Sequence, residues 1–314
     1  MITTDIKPDI LIDYFDDREN TNPMVVVYVR PETNEVQYEK ALILGVSPYA
    51  DVVYLANLNG KVFLQNALIL DHYASQYRFS INAGNEIEQY PEMVEQFEKH
   101  FGVNFDKDKI VGSFDAMPKL DLTADDMFDI IVDSKDFLNF YGQTIKKIKG
   151  YYVVNYNIPA LVKRYTPDVN IFVMAARSKT PDCKFEEINQ SIFEQMEQNV
   201  RTPIVDEDLL KELKWNEKIK RTYHISKNHI MAMFDMMDFI FRSNGERIGF
   251  IETPLGRRLV EDLKFTEDML FKLKEHPIVY IKEKQKKKKL VNIINYARDK
   301  TMEESVEIIG SIVF

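Results

Sequence analysis

"NPMVVVYVRPETNEVQYEKALILGV", residues 22–46, sets the fold class. Met24 to Val29 is an unbroken apolar run rich in valine, the composition of a strand buried on both sides. Pro31 to Asn34 supply turn chemistry, and a second apolar run ends at Val46. The stretch therefore predicts an antiparallel hairpin. "ADVVYLANLNGKVFL", residues 50–64, predicts a further strand closed by a turn at Asn59-Gly60. The front of the chain is thus expected to be sheet.

Helices and strands alternate further on. "NEIEQYPEMVEQFEKH", residues 85–100, carries Ile87, Met93, Val94 and Phe97 at helical spacing, with Pro91 as a start and Gly102 as a stop. Thr123 and Asp126 have the spacing of a capping box. "GYYVVNY" (150–156), "IPALVKRY" (158–165) and "VNIFVMAA" (169–176) read as strand, helix and strand, an order compatible with a short parallel crossover. Beyond "KTPDCK" the composition shifts to Glu, Gln, Lys and Met, and helical patterns dominate from "FEEINQSIFEQMEQNV" (185–200) through "DLLKELKWNEKIKRTYH" (208–224) to "TMEESVEIIGSIVF" (301–314). The expectation is an α+β protein. A mixed-sheet domain with hairpins spans 1–183, and a mainly helical domain bearing a winged-helix-like β-hairpin spans 184–314.

With 314 residues, 45% of them hydrophobic, the chain can bury a sizeable core or two. The net charge of −9 repels polyanions on average, so nucleic acid or an anionic membrane would need a local basic patch. The single cysteine, Cys183, fits a reducing compartment. The first residues lack the basic and apolar regions of a secretory signal, and no apolar run is long enough to span a bilayer. A soluble cytoplasmic protein is expected.

One such patch exists: Lys282, Lys284, Lys286, Lys287, Lys288 and Lys289 lie between the β-prone segments "PIVYI" and "LVNII". Preceded by "TPLGRRLVEDL" and "TEDMLFKLKEH", the hairpin gives residues 253–294 a winged-helix-like order. Arg257 to Lys289 holds 11 basic and 6 acidic residues, a local excess of five positive charges. Glu267 and Asp268 in the first turn of the second helix would repel phosphate, which disfavours groove reading. Lysines also protect sheet edges from pairing. Edge protection is the first reading of the run; the second is docking of an acidic protein, with Arg257, Arg258 and the six lysines as partner-binding residues.

No P-loop, dinucleotide fingerprint, nucleophile elbow, zinc-protease motif or paired-cysteine motif occurs, so no cofactor is implied. His224 and His229, followed by Asp235 and Asp238, raise a metal site. On one helix a five-residue spacing turns the second histidine about 140° from the first, so no metal site is assigned. Ser226 reads as the cap of the next helix, whose Met231, Phe234, Met237 and Phe241 share a core-facing stripe. The acidic series Asp125, Asp126, Asp129, Asp133 and Asp136 reads as a solvated helix face. Lys146, Lys147 and Lys149, interleaved with tyrosines, resemble a single-strand-binding surface and equally ordinary sheet packing.

"HYASQYRFSINAGNE", residues 72–86, concentrates chemistry: His72, Ser75 and Arg78 supply an acid–base group, a hydroxyl and a cation. Two function classes follow. The first is a non-enzymatic interaction or assembly protein, whose partner is a protein, acidic or a second copy of the chain. The second is an enzyme for a small polar substrate with His72, Ser75 and Arg78 as its catalytic residues. Non-specific nucleic-acid binding through the basic hairpin ranks third.

Overall fold

The computed structural model describes residues 6–200, 222–283 and 287–313. Met24–Val29 is strand β2, but its expected hairpin partner is a helix, α1 (Val36–Val46), entered through a 3-10 turn at Pro31–Thr33. Ala41, Leu42, Gly45 and Val46 share the buried helical face, a period of 3.6 that the short apolar run conceals. The other strands are β1 (Asp9–Ile12), β3 (Ala50–Asn59), β4 (Ile110–Gly112), β5 (Phe137–Phe140), β6 (Gln143–Ile148), β7 (Tyr151–Val154), β8 (Asn170–Ser178), β9 (Tyr223–Ile225), β10 (Ile278–Lys282), β11 (Lys288–Asn292) and β12 (Ile312–Val313). The remaining helices are α2 (Gly60–Gln65), α3 (Leu68–His72), α4 (Ala74–Glu88), α5 (Pro91–Phe101), α6 (Ser113–Leu120), α7 (Ala124–Asp129), α8 (Ile158–Arg164), α9 (Phe185–Val200), α10 (His229–Phe239), α11 (Pro254–Glu261), α12 (Glu267–Glu275), α13 (Ile293–Tyr296) and α14 (Met302–Gly310). The protein is α+β with several sheets, and no helix among the described residues is long and apolar enough to cross a membrane.

Expected as consecutive blocks, the chain instead clusters into two interleaved units. One takes the described residues of Met1–Leu68, Thr166–Leu270 and Ala297–Gly310; the other takes those of Ile69–Tyr165, Phe271–Tyr296 and Ser311–Phe314.

The first unit is built on a five-stranded antiparallel sheet in the order β1-β3-β8-β2-β9. Every residue of β2 is buried, so both of its faces need cover. Val25, Val27 and Val29 meet Leu42 of α1 and Ile188, Ile192 and Met196 of α9 on one face. Tyr28 faces the other way, against Phe239 of α10. The helix expected over 208–224 lies outside the described residues up to 221, and its last residues enter β9. Asn59-Gly60 is not a hairpin turn: the Asn59 side chain accepts from Lys61 N and starts α2.

In the second unit β4-β7-β6-β5 form one sheet, with β4 parallel to β7 and the rest a meander. Its two hairpins turn on Tyr141-Gly142 and Lys149-Gly150, all four residues with positive φ, the backbone of a two-residue turn matched to strand twist. β7 lies in this sheet and β8 in the sheet of the first unit, so the 150–176 segment forms no crossover. Its helix, α8, joins two different sheets. A second sheet, β11-β10-β12, contributes Ile278 and Leu290 to the core made by α4, α5 and the meander. The expected helix over 91–101 is present as α5, closed by Gly102 in the left-handed conformation, and the Thr123–Asp126 capping box is formed.

The lysine–tyrosine stretch turns inward. Lys146 is buried, and its Nζ donates to the carbonyls of Met127 (3.3 Å), Phe128 (3.2 Å) and Ile130 at the end of α7, 3.6 Å from the centre of the Tyr156 ring. Lys149 Nζ donates to Leu120 O at the end of α6. A strand lysine and a turn lysine thus supply the positive charge that helix C-termini favour. Lys146→Met leaves buried carbonyls without a donor and is expected to lower unfolding free energy by about 2–3 kcal/mol. Urea denaturation checks this against Lys135→Met at an exposed position, expected to change it by less than about 0.5 kcal/mol.

Candidate functional site

The residues proposed as catalytic from sequence stand close along α3 and α4. His72 ends α3 and lies edge-on to the ring of Tyr73. Ser75 is buried, and its hydroxyl accepts from Gln143 Nε2 at 3.4 Å. Gln143 Oε1 in turn accepts from Asn155 Nδ2, which also donates to Gln76 O. This buried amide network ties α4 to the meander and satisfies groups that burial would otherwise penalise. Arg78 Nε lies 3.3 Å from Glu86 Oε2, and its Nη1 closely approaches His276 Nδ1. Burial and then the Arg78 guanidinium hold the His276 imidazole below its ordinary range. Neither Ser75 nor Arg78 is hydrogen-bonded to His72, so no nucleophile–base pair joins the three.

The partner-binding residues divide in the same way. Arg257 pairs with Asp16 and donates to Ile251 O, while Arg258 pairs with Asp262 and with Glu303. Both arginines belong to the first unit and are engaged within it. Lys282, Lys287, Lys288 and Lys289 are exposed on or beside the β10–β11 hairpin of the second unit; Lys284 and Lys286 lie outside the described residues. Lys289 is 3.4 Å from Glu283 and 4.9 Å from the centre of the Tyr296 ring. Lys282 and Lys288 are direct cross-strand partners, a like-charge pair that costs stability.

His224 and His229 do not share a helix. His224 is on β9, stacked on Tyr28 at 4.6 Å, with Nε2 2.8 Å from Asp235 Oδ2. Ser226 is not the cap of α10, a role taken by Asn228, whose side chain accepts from Met231 N. The Ser226 hydroxyl instead donates to Asp235 at 2.7 Å and accepts from Val26 N at 3.0 Å, locking β9 to β2 and to α10. His229 abuts Phe185 and a gap of about 10 Å³ lined also by Met24, Met233, Met236 and Met302, room for one water molecule. The acidic series is split between α7, a loop and a 3-10 turn, with Asp125 2.6 Å from Lys163 and Asp126 in the capping box.

The concave feature that sequence reasoning missed lies in the first unit. A cleft of about 510 Å³ is lined by Phe15, Asp17, Asn20, Asn22, Asp51, Val53, Arg177, Ser178 and Lys179. It opens where β8 ends beside the start of β3. Val53 is the unpaired residue of a bulge between Val52 and Tyr54, so the strand bends at the cleft wall. Asn22 Nδ2 donates to Ser178 O, and Lys179 Nζ donates to Ser47 O while lying 3.8 Å from Asp51. The only trace of the cleft in the sequence is Arg177, a charge at the end of an otherwise buried strand.

Comparison of the chain with protein-family models, with curated proteins and with solved structures finds no match.

Burial pushes the His229 imidazole from 6.5 down to about 4, against the weaker pull of Glu303. Its folded pKa lies below the unfolded one, so between those values the unfolded chain binds the extra proton. The stability gained by keeping it neutral, about 3 kcal/mol, is present above pH 6.5 and is lost as pH falls towards 4. His229→Phe is expected to flatten that part of the stability profile, read by urea denaturation across the same pH range.

Proposed function

We propose that this is a non-enzymatic binding protein whose first unit docks another protein. The supporting observation is the N-terminal strand. Leu11 is 57% exposed and Ile12 41%, both on edge strand β1, and Phe15 just beyond it is 77% exposed. Apolar side chains grouped on an unpaired edge fit a partner that adds a strand and covers them. The partner is an extended apolar segment of another protein or of a second copy.

The β10–β11 hairpin is a second docking element, for an acidic surface. The Lys282–Lys288 repulsion favours this use, since neighbouring carboxylates would relieve it. Glu267 and Asp268 stand in the first turn of α12, which speaks against phosphate. The lysines of β11 also occupy an edge strand, where they discourage indiscriminate pairing. An enzyme centred on His72, Ser75 and Arg78 draws no comparable support from the partners those residues keep. The lone thiol of Cys183 accords with a cytoplasmic setting.

Chemical cross-linking followed by mass spectrometry tests the reading on wild type and on Leu11→Ser/Ile12→Ser. Links from a protein partner to residues 9–17, reduced about tenfold in the variant, are the expected result. A protein that stays monomeric in sedimentation and gives no intermolecular links to that segment would sink the reading.

A further inference from the structure

Arg177 is 6% exposed, yet no carboxylate among the described residues lies within ion-pair distance of it. Its hydrogen bonds to described residues all come from Nη1, which donates to Asp17 O at 3.3 Å and to Asn20 O. Nη2 and Nε have no partner among the described residues. A guanidinium taken from water without an opposing charge is costly, and its fork of N–H groups matches a carboxylate in bidentate geometry. The position is set by the sheet: Arg177 is the direct cross-strand partner of Asp51 on β3 and of Met24 on β2. Asp51 shares its face of the sheet but leans away, 75% exposed and 3.8 Å from Lys179.

The rest of the cleft narrows the ligand. Asp17 and Asp51 line it along with Arg177 and Lys179, so its formal charges cancel. Two carboxylates oppose a phosphate dianion and welcome an ammonium. Asn20, Asn22 and Ser178 line the same walls with amide and hydroxyl groups, and Phe15 presents an exposed ring. The volume of about 510 Å³ falls in the range of roughly 300–1,000 Å³ usual for small-molecule sites.

We infer that the cleft is a binding site for a small zwitterion of the amino-acid or dipeptide class, with its carboxylate on Arg177 and its ammonium towards Asp17 and Asp51. This goes beyond the docking of a protein at β1 and stands or falls without it. Arg177 and Asp51 act as the two poles of recognition, and Phe15 flanks the ligand's side chain.

Isothermal titration of the full chain with the α-amino acids and with glycyl dipeptides tests the assignment, with amide and N-acetyl derivatives and inorganic phosphate as comparison probes. The expected result is saturable binding of at least one free zwitterion at about 1 mM or below. Arg177→Gln weakens it about tenfold or more, and Asp51→Asn several-fold. Blocking either end of the ligand costs about tenfold. Absence of saturable binding up to about 10 mM overturns the inference. So does equal binding of the blocked forms, or a preference for phosphate. If Arg177→Gln fails to fold by circular dichroism, the exposed Asp51→Asn variant and the blocked ligands on wild type decide the question. Retained binding of the wild-type ligand by Asp51→Asn together with indifference to blocking is then the overturning result.

Discussion

The complete burial of β2 is the constraint from which the first unit follows. A strand with no solvent-facing side chain needs an apolar layer on each face, and no single neighbouring segment can supply both. Alternation divides the work: Val25, Val27 and Val29 go to α1 and α9, while Tyr28 goes to α10 and His224. Those layers come from residues far apart in the chain, so the unit must be gathered from several segments. The His224–Asp235–Ser226 network closes the arrangement with polar bonds, joining β9, β2 and α10 through one buried carboxylate.

Local signals in the sequence were legible where local physics decides. Pro91 and Gly102 mark the ends of α5, and the Thr123–Asp126 box marks the start of α7, because caps are short-range hydrogen bonds. Residues 36–46 were misread as a strand because a short apolar run carries no unambiguous period, and only the packing of Leu42 and Val46 against α9 selects the helix. The apparent crossover at 150–176 failed for a different reason. Strand–helix–strand order does not say whether two strands share a sheet, and here β7 pairs with β4 and β6 while β8 pairs with β2 and β3.

Candidate chemistry was less legible still. Proximity in sequence groups His72, Ser75 and Arg78; in the structure the Ser75 hydroxyl accepts from Gln143, and Arg78 lies beside Glu86 and His276. Among the lysines of 146–149, Lys146 and Lys149 serve helix ends, a role that depends on where α6 and α7 stop, while Lys147 lies over the Tyr152 ring. Conversely, the cleft around Arg177 gathers residues from 15–22, 51–53 and 177–179, and nothing in any of those stretches alone announces it.

The interleaving of the two units bears on how the protein is made. Ile312 and Val313 pair with β10, so the three-stranded sheet of the second unit is incomplete until those residues are available. The first unit likewise draws on Ala297–Gly310. Synthesis from the N-terminus therefore completes neither unit before residues 297–313 have been made. Strand β2 must wait for both of its partners, β8 from residue 170 and β9 from residue 223, and its edges stay unpaired in the interval, the condition under which an emerging chain is prone to misassociate.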